Sequence, residues 1–383
     1  MGQHRILFID HTAVMGGAEL SLLDLATAYA DTSKVLLYED GTLRERLQQQ
    51  GVTVEVDRVD VAVLKLKASG GLSSLLSIPE LWRIAGRVSR AALGYEAIVA
   101  NSQKSFITAA LATLRNSPPV IWHLRDILTA KHFSRVNRMV AVFLANRFAS
   151  RVIVNSHATG EAFIAAGGRA NLCQVVYNGF ESDKFDVVTT DETAQIRTQL
   201  GIGNAPLVGL FSRLSYWKGQ HVLLEAVKKI PEVQVILVGE ALFGEQEYVS
   251  ELKELAAVPE LAGRVHWLGF RDDVPVLMKT CNIVVHTSTE PEPFGRVIVE
   301  GQLAQKPVIA SAAGGALELI EDGVNGYLFP PGDSSALREA IAKLVANPDL
   351  AQTLAHQGYQ NAKQNFALKT ILQSFERSIA LTD

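Results

Sequence analysis

Short apolar runs rich in valine and isoleucine recur along the chain, and between them lie longer segments whose apolar residues fall at helical spacing. In the first half the runs occupy 5–10 (RILFID), 34–39 (KVLLYE), 96–101 (EAIVAN), 120–124 (VIWHL), 151–156 (RVIVNS) and 174–178 (QVVYN), with helix-period segments at 19–29, 106–114 and 136–148. A strand apolar on both sides must be covered on both faces, so this alternation predicts a parallel sheet between two helix layers. The second half repeats it at 207–212, 233–239, 265–270, 282–288 and 306–311. The expected fold is therefore α/β, with two doubly wound parallel sheets, one in each half. A chain of 383 residues also exceeds the size at which one hydrophobic core stops growing. The polar stretch ESDKFDVVTTDE interrupts the apolar rhythm and marks the boundary. We expect domains at 1–185 and 186–365, with 366–383 a C-terminal helix that packs back on the first domain.

Polar residues cluster where the N-terminal strands stop: Asp10, Asn101 with Ser102, His123, Asn155 with Ser156, and Asn178 with Gly179. Ligands of open α/β sheets sit outside the carboxyl ends of the strands, so this placement points to one site lined by several loops. Polar turns that simply end strands are the bland reading of any one of them.

Composition narrows the classes. Residues 1–185 carry 20 Lys and Arg against 16 Asp and Glu, and residues 186–383 carry 16 against 24. Neither half has the basic footprint of a nucleic-acid partner. Cys173 and Cys281 are the two cysteines, with no His or Cys at zinc spacing nearby, so no disulfide framework or metal site is expected and a reducing cytosol fits. The first residues run straight into an apolar strand without the pattern of a signal peptide, and no apolar stretch reaches the roughly 20 residues of a spanning helix. A cytoplasmic protein is expected, peripheral at most at the inner membrane face. Basic amphipathic stretches at 79–93, with Trp82, Arg83, Arg87 and Arg90, and from Lys131 to Arg151 allow contact with anionic lipid, a solvated helix face being the other reading.

Three segments carry chemistry. In HTAVMGGAELSLLDLA, Gly16 and Gly17 precede a helix beginning near Glu19, where backbone N–H groups can approach an anion or a sugar. In FSRLSYWKGQHVLLEA, Arg213 and Lys218 lie between a strand and a helix; the arginine fork and the mobile ammonium together suit a diphosphate. In TEPEPFGRVIVEGQLAQKPVIAS, Glu292 falls in a loop, Gly295 at a helix start and Glu300 within the helix, so the two carboxylates reach different parts of one ligand. Exposed surface charges are the alternative for each. The later AAGGALELIEDGVNGYLFPPGD reads as turn chemistry around Gly314, Gly315 and Asn325-Gly326, without a catalytic group.

Together these residues resemble the retaining GT-B glycosyltransferases of family 4, the glycosyltransferase group 1 family. The resemblance covers essentially the whole chain and rests on Glu292-Pro293-Phe294-Gly295 with Glu300, on Arg213 with Lys218-Gly219, and on Gly16-Gly17-Ala18-Glu19. It implies a GT-B fold of two Rossmann-like doubly wound domains facing across a cleft, an N-terminal acceptor domain and a C-terminal nucleotide-sugar domain. It further implies that Arg213 and Lys218 hold the donor diphosphate, Glu300 the ribose and Glu292 the sugar hydroxyls. Phe294, Gly295, Arg296 and Val297 would border sugar or phosphate, Gly239, Phe270 and Arg271 the nucleoside, and Gly16 and Gly17 the distal phosphate. His123 matches the family's active-site histidine, and Glu19, Asn101, Asn155 and Asn178 face the acceptor side. Ser212 where a glycine often stands, Ala316-Leu317 after Gly-Gly, and NGFE in place of NGVD depart from the common pattern and bear on donor identity. The implied reaction moves a hexose, first of all from UDP-glucose, to a hydroxyl of a glycan or lipid-linked acceptor with retained configuration and no cofactor or metal. A nucleotide-sugar epimerase and a non-catalytic nucleotide-sugar-binding protein are the rival readings. A nicotinamide enzyme lacks its GxGxxG fingerprint here.

Overall fold

The computed structural model describes residues 4–59, 78–129, 133–242 and 244–380; Lys131, the start of the second expected basic stretch, and 381–383 of the C-terminal segment lie outside them. The chain forms two compact units, one of Met1–Gly179 with Leu368–Asp383 and the other of Phe180–Ala367. The division falls a few residues before the 185/186 boundary read from composition. Chain polarity changes gradually there, whereas the packing changes at Gly179, where a Cβ would come within 2.9 Å of the Leu368 backbone.

The first unit holds β1 (Ile6–Asp10), β2 (Lys34–Leu37), β3 (Thr53–Val56), β4 (Ala97–Ala100), β5 (Val120–Leu124), β6 (Ala149–Val154) and β7 (Cys173–Val175). They pair in parallel in the order β3-β2-β1-β4-β5-β6-β7. Every residue of β1, β4 and β5 is buried, which is why these strands read as unbroken apolar runs. On one face the Trp122 ring stacks on Phe106 at 4.5 Å, within a core shared with helices Ile78–Ala91, Gln103–Ala112 and Arg135–Phe148. On the other face the C-terminal helix Leu368–Ile379 sets Phe375 against Phe8, Tyr29 and His123, with centroids 6.4, 6.1 and 6.1 Å away.

The second unit holds β8 (Leu207–Phe211), β9 (Gln234–Val238), β10 (Val265–Gly269), β11 (Ile283–His286), β12 (Val308–Ser311) and β13 (Tyr327–Phe329), in the order β10-β9-β8-β11-β12-β13, again parallel. β3 and β13 are additions to the strands expected from sequence. Both lie at a sheet edge, where partial exposure removes the continuous apolar signature.

In each sheet the chain leaves one strand, crosses over and returns on its other side: β1 beside β4, and β8 beside β11. The loops diverging at such a switch point leave a crevice at the carboxyl ends of the strands. Asp10 ends β1 and Asn101 follows β4; Ser212 and Arg213 follow β8, and Thr287 follows β11.

Candidate functional site

At the switch point of the first unit, the serine of each polar dipeptide folds the chain and the asparagine beside it is left for other work. Ser102 forms a capping box with Ser105 at the start of helix Gln103–Ala112, and Ser156 caps helix His157–Ala165 through the Thr159 amide. Each satisfies helix-end N–H groups that would otherwise be orphaned. Asn101 is buried and its Nδ2 donates to Asp10 Oδ2 at 2.6 Å, while its Oδ1 accepts from Arg125 Nε at 2.6 Å. Arg125, also buried, donates from Nη1 to Asn178 Oδ1 at 2.8 Å and from Nη2 to His123 Nδ1 at 3.3 Å. His123, Asn101 and Asn178 are thus gathered around one guanidinium, which the sequence reading did not single out. Asn155 is engaged by the Thr159 hydroxyl at 3.0 Å, and among the described residues no hydrogen bond ties it to Arg125.

Electrostatics follow from this packing. Burial and then the Arg125 charge hold His123 well below the ordinary imidazole range, so the ring is neutral. Glu19 lies in the first turn of helix Gly17–Ala28, where its Oε2 is 2.7 Å from where a Cβ on Gly16 would stand. Burial and the nearby Asp10 charge raise its pKa to about 8. Gly17 is the exposed first residue of that helix.

In the second unit the β8 and β11 loops are clamped together. Thr287 Oγ1 donates to the Lys218 carbonyl at 2.8 Å and the Thr289 amide to the Trp217 carbonyl at 2.7 Å. Gly219 has a φ of 69° and a Cβ there would collide with the Thr287 carbonyl, so only glycine permits this approach. The clamp brings Lys218 Nζ to 2.5 Å from Glu292 Oε1. The other carboxylate oxygen accepts from His286 Nε2 at 2.5 Å and from Ser288 Oγ at 2.9 Å. Burial by itself would raise the Glu292 pKa; the charges and hydrogen bonds of Lys218 and His286 outweigh it and hold the carboxyl well below its usual range. Gly315 donates its amide to the Glu292 carbonyl at 2.8 Å, so the glycine pair read as turn chemistry also seats this loop.

The remaining expected residues fall around that cluster with distinct tasks. Arg213 lies over the Trp217 ring at 5.5 Å, with Lys218 over the same ring at 4.1 Å. Gly295, at φ 97°, starts helix Arg296–Leu303, whose first turn includes Val297. Arg296 Nε stands 3.4 Å from Glu300 Oε1 one turn on, and its guanidinium covers the Phe180 ring at 4.5 Å. The Phe294 ring is buried between Phe180 and Phe366, so what it can offer a ligand is its backbone. A Cβ on Gly239 would strike the Ser212 carbonyl, which ties that glycine to the close approach of two strand ends. Phe270 is 52% exposed beyond β10, and Arg271 makes a bidentate pair with Asp273 at 2.7 and 2.5 Å.

Sequence reading missed Arg125, His286 and Ser288. A polar residue at the carboxyl end of an apolar run is the signal that picked out His123 and Asn101; applied to IWHLRD and NIVVHTS it also finds these three. Among the described residues no group of three or more His, Cys, Asp or Glu side chains is gathered as a metal site would require, and no helix is long and apolar enough to cross a membrane.

Two parallel-sheet Rossmann-like units, the second with a cationic cluster and a helix start at its switch point, define the GT-B class of glycosyltransferase folds. Residues 192–362 match the family model for glycosyl transferases group 1, and residues 16–179 match a glycosyl transferase 4-like domain. The chain resembles Alr3699/HepE of Anabaena, solved in complex with UDP and glucose, with 43% identity and a TM-score of 0.90 over 99% of this chain and 100% of that one. It is 30% identical over 177 residues to the lipopolysaccharide core biosynthesis glycosyltransferase LpsE of Rhizobium meliloti, over 46% of this chain and 50% of that protein. The chain spans about half the length of the curated relatives it matches, 50% of LpsE and 56% of spore coat protein SA of Bacillus subtilis among them. A sucrose-phosphate synthase from Thermosynechococcus elongatus, 21% identical with a TM-score of 0.79 over 98% of each chain, shares the fold. The chain belongs to the group 1 glycosyltransferases.

Proposed function

We propose that the protein moves a hexose, glucose in the first instance, from UDP to a hydroxyl of a glycan or lipid-linked saccharide, with retention of anomeric configuration. The observation that carries this reading is the Lys218–Glu292–His286 cluster at the switch point of the second unit. Its weight grows from 43% identity to a neighbour matched over 100% of its chain and solved with UDP and glucose and from another structure of that protein with UDP-glucose.

In this reading Arg213, Lys218 and the amides of Gly295, Arg296 and Val297 take up charge developing on the departing diphosphate. Glu292, kept ionised, accepts from the sugar hydroxyls and holds the Lys218 ammonium in place. Glu300 meets the ribose, and Phe270 and Arg271 border the base. In the first unit His123 donates to the donor sugar and Gly16 and Gly17 meet the distal phosphate, while Glu19, Asn101, Asn155 and Asn178 serve the acceptor side. The bond from the anomeric carbon to the diphosphate oxygen breaks as the acceptor oxygen bonds to the same face. The acceptor proton passes to the leaving phosphate oxygen.

For the acceptor's setting we infer an anionic membrane surface at the inner face of the cytoplasmic membrane. Helix Arg135–Phe148 exposes Val136, Met139 and Phe143 at 45, 60 and 66%, with exposed Arg135 and Arg147 beside them. Apolar residues one turn apart flanked by arginines match the chemistry of an acidic lipid interface. Co-sedimentation with phosphatidylglycerol vesicles at low salt should be strong for the wild type and weak for Phe143→Glu, and equal pelleting of the two would refute the surface.

The activity is tested by incubating the protein with UDP-, GDP- and ADP-sugars and following diphosphate release. UDP release from UDP-glucose in the presence of a glycan acceptor, with an α-linked product by NMR, is the expected result. An inverted product contradicts retention, and a free nucleotide sugar of altered configuration contradicts transfer in favour of epimerisation.

A further inference from the structure

The hydrogen-bond chain behind His123 has one consistent sense. The Asp10 carboxylate can only accept, so it takes the amide nitrogen of Asn101 at 2.6 Å and turns the amide oxygen toward Arg125. Asn178 likewise presents Oδ1 to the guanidinium at 2.8 Å. Arginine can only donate, so its Nη2, 3.3 Å from His123 Nδ1, requires a lone pair on that ring nitrogen. A neutral ring with its lone pair on Nδ1 carries its hydrogen on Nε2. His123 Nε2 is buried and, among the described residues, makes no hydrogen bond. Phe375 packs against the ring at 6.1 Å, and His123 lines one cavity of the first unit together with Asp24, Arg125 and Tyr177.

We propose that Arg125 is a positioning residue of the transfer reaction: by donating to His123 Nδ1 it fixes the neutral Nε2–H tautomer, so that His123 acts as a hydrogen-bond donor and not as a proton acceptor. This rests on the reading of His123 as a residue that faces the donor sugar. In this role Arg125 acts through His123. Its work is to settle which ring nitrogen carries the proton, a choice that an isolated imidazole leaves open.

The test begins with the unmodified protein. Long-range proton–nitrogen correlation spectra of the histidine-labelled chain at neutral pH, with His123 assigned by its loss in His123→Ala, should show Nε2 protonated and Nδ1 not. An Nδ1–H tautomer or an imidazolium at His123 overturns the proposal. Arg125→Met removes the donor while keeping much of the side-chain length. It should mix the two tautomers and lower kcat about a hundredfold while the donor KM moves less than about threefold, the signature of a group misplaced for the reaction step. Unchanged kcat in a folded Arg125→Met protein also overturns it. If that variant fails to fold, the wild-type spectrum still decides the tautomer. His123→Ala with full turnover would refute the sugar-facing reading, and the spectrum separates that failure from failure of the tautomer lock.

Discussion

The two units place polar groups at equivalent positions, the carboxyl ends of strands around a crossover, and set them to opposite charge states. In the first, burial and Arg125 keep His123 neutral, and burial with the Asp10 charge lifts Glu19 to about 8. In the second, Lys218 and His286 overcome burial and keep Glu292 ionised. Equivalent places in similar sheets therefore carry different chemistry because of one or two neighbours each. Arg125 meets a histidine and two amides, whereas Lys218 meets a carboxylate. The first arrangement suits hydrogen-bond recognition of an uncharged sugar, and the second suits management of a leaving anion.

The comparison breaks most severely where the scaffold of one unit is removed. Phe375→Ala deletes a fully buried ring and should destabilise the first unit by about 3–5 kcal/mol in urea unfolding. It should do so without lowering UDP affinity in the folded fraction. Lys218→Ala strikes the second unit's charge balance: it leaves Glu292 without its ammonium and should lower turnover by about 10²–10³, measured as diphosphate release. Gly314→Ala acts on the same loop more gently. Gly314 has a φ of 60°, and a Cβ there would come within 2.7 Å of the Glu292 amide nitrogen, so thermal unfolding should show a loss of about 1–3 kcal/mol.

The smallest effect concerns pH. Glu19 keeps its proton in the folded state up to about 8, while its unfolded value is near the ordinary 4.5. The folded chain binds the extra proton in that window, so this group's contribution to stability falls as pH rises through it. Glu19→Gln should flatten the melting temperature between those limits. Glu292 has the opposite sign, its contribution being present above the ordinary carboxylate range and lost as pH falls through its depressed value. An unchanged pH slope in Glu19→Gln would remove the asymmetry between the units.

Much of this architecture is legible in the residue order because interior strands of a covered parallel sheet are apolar on both faces. β1 and β11 are buried throughout, and each reads as a single run. β3 alternates exposed and half-buried residues, and β13 is a three-residue edge strand behind an Asn-Gly turn, so neither carries that signature. In the site, Lys218 and Glu292 stand out as charges in special turns. Their pairing does not, since they are far apart in sequence and are brought together by the clamp of Thr287 and Thr289 on the loop of Trp217, Lys218 and Gly219. Arg125 was hidden by its neighbour: in IWHLRD the histidine draws the functional reading, and the arginine two positions on looks like an ordinary charge leaving a strand. Its burial, which makes it the centre of a network, is a property of packing alone.

The division of labour between the units is tested most directly by titrating UDP into the wild type, Lys218→Ala and His123→Ala by calorimetry and following UDP-glucose breakdown in the same samples. The account predicts that His123→Ala binds UDP as the wild type does, that Lys218→Ala binds it at least about tenfold more weakly, and that both lose turnover. UDP affinity falling as far in His123→Ala as in Lys218→Ala, or turnover surviving in both, would contradict it.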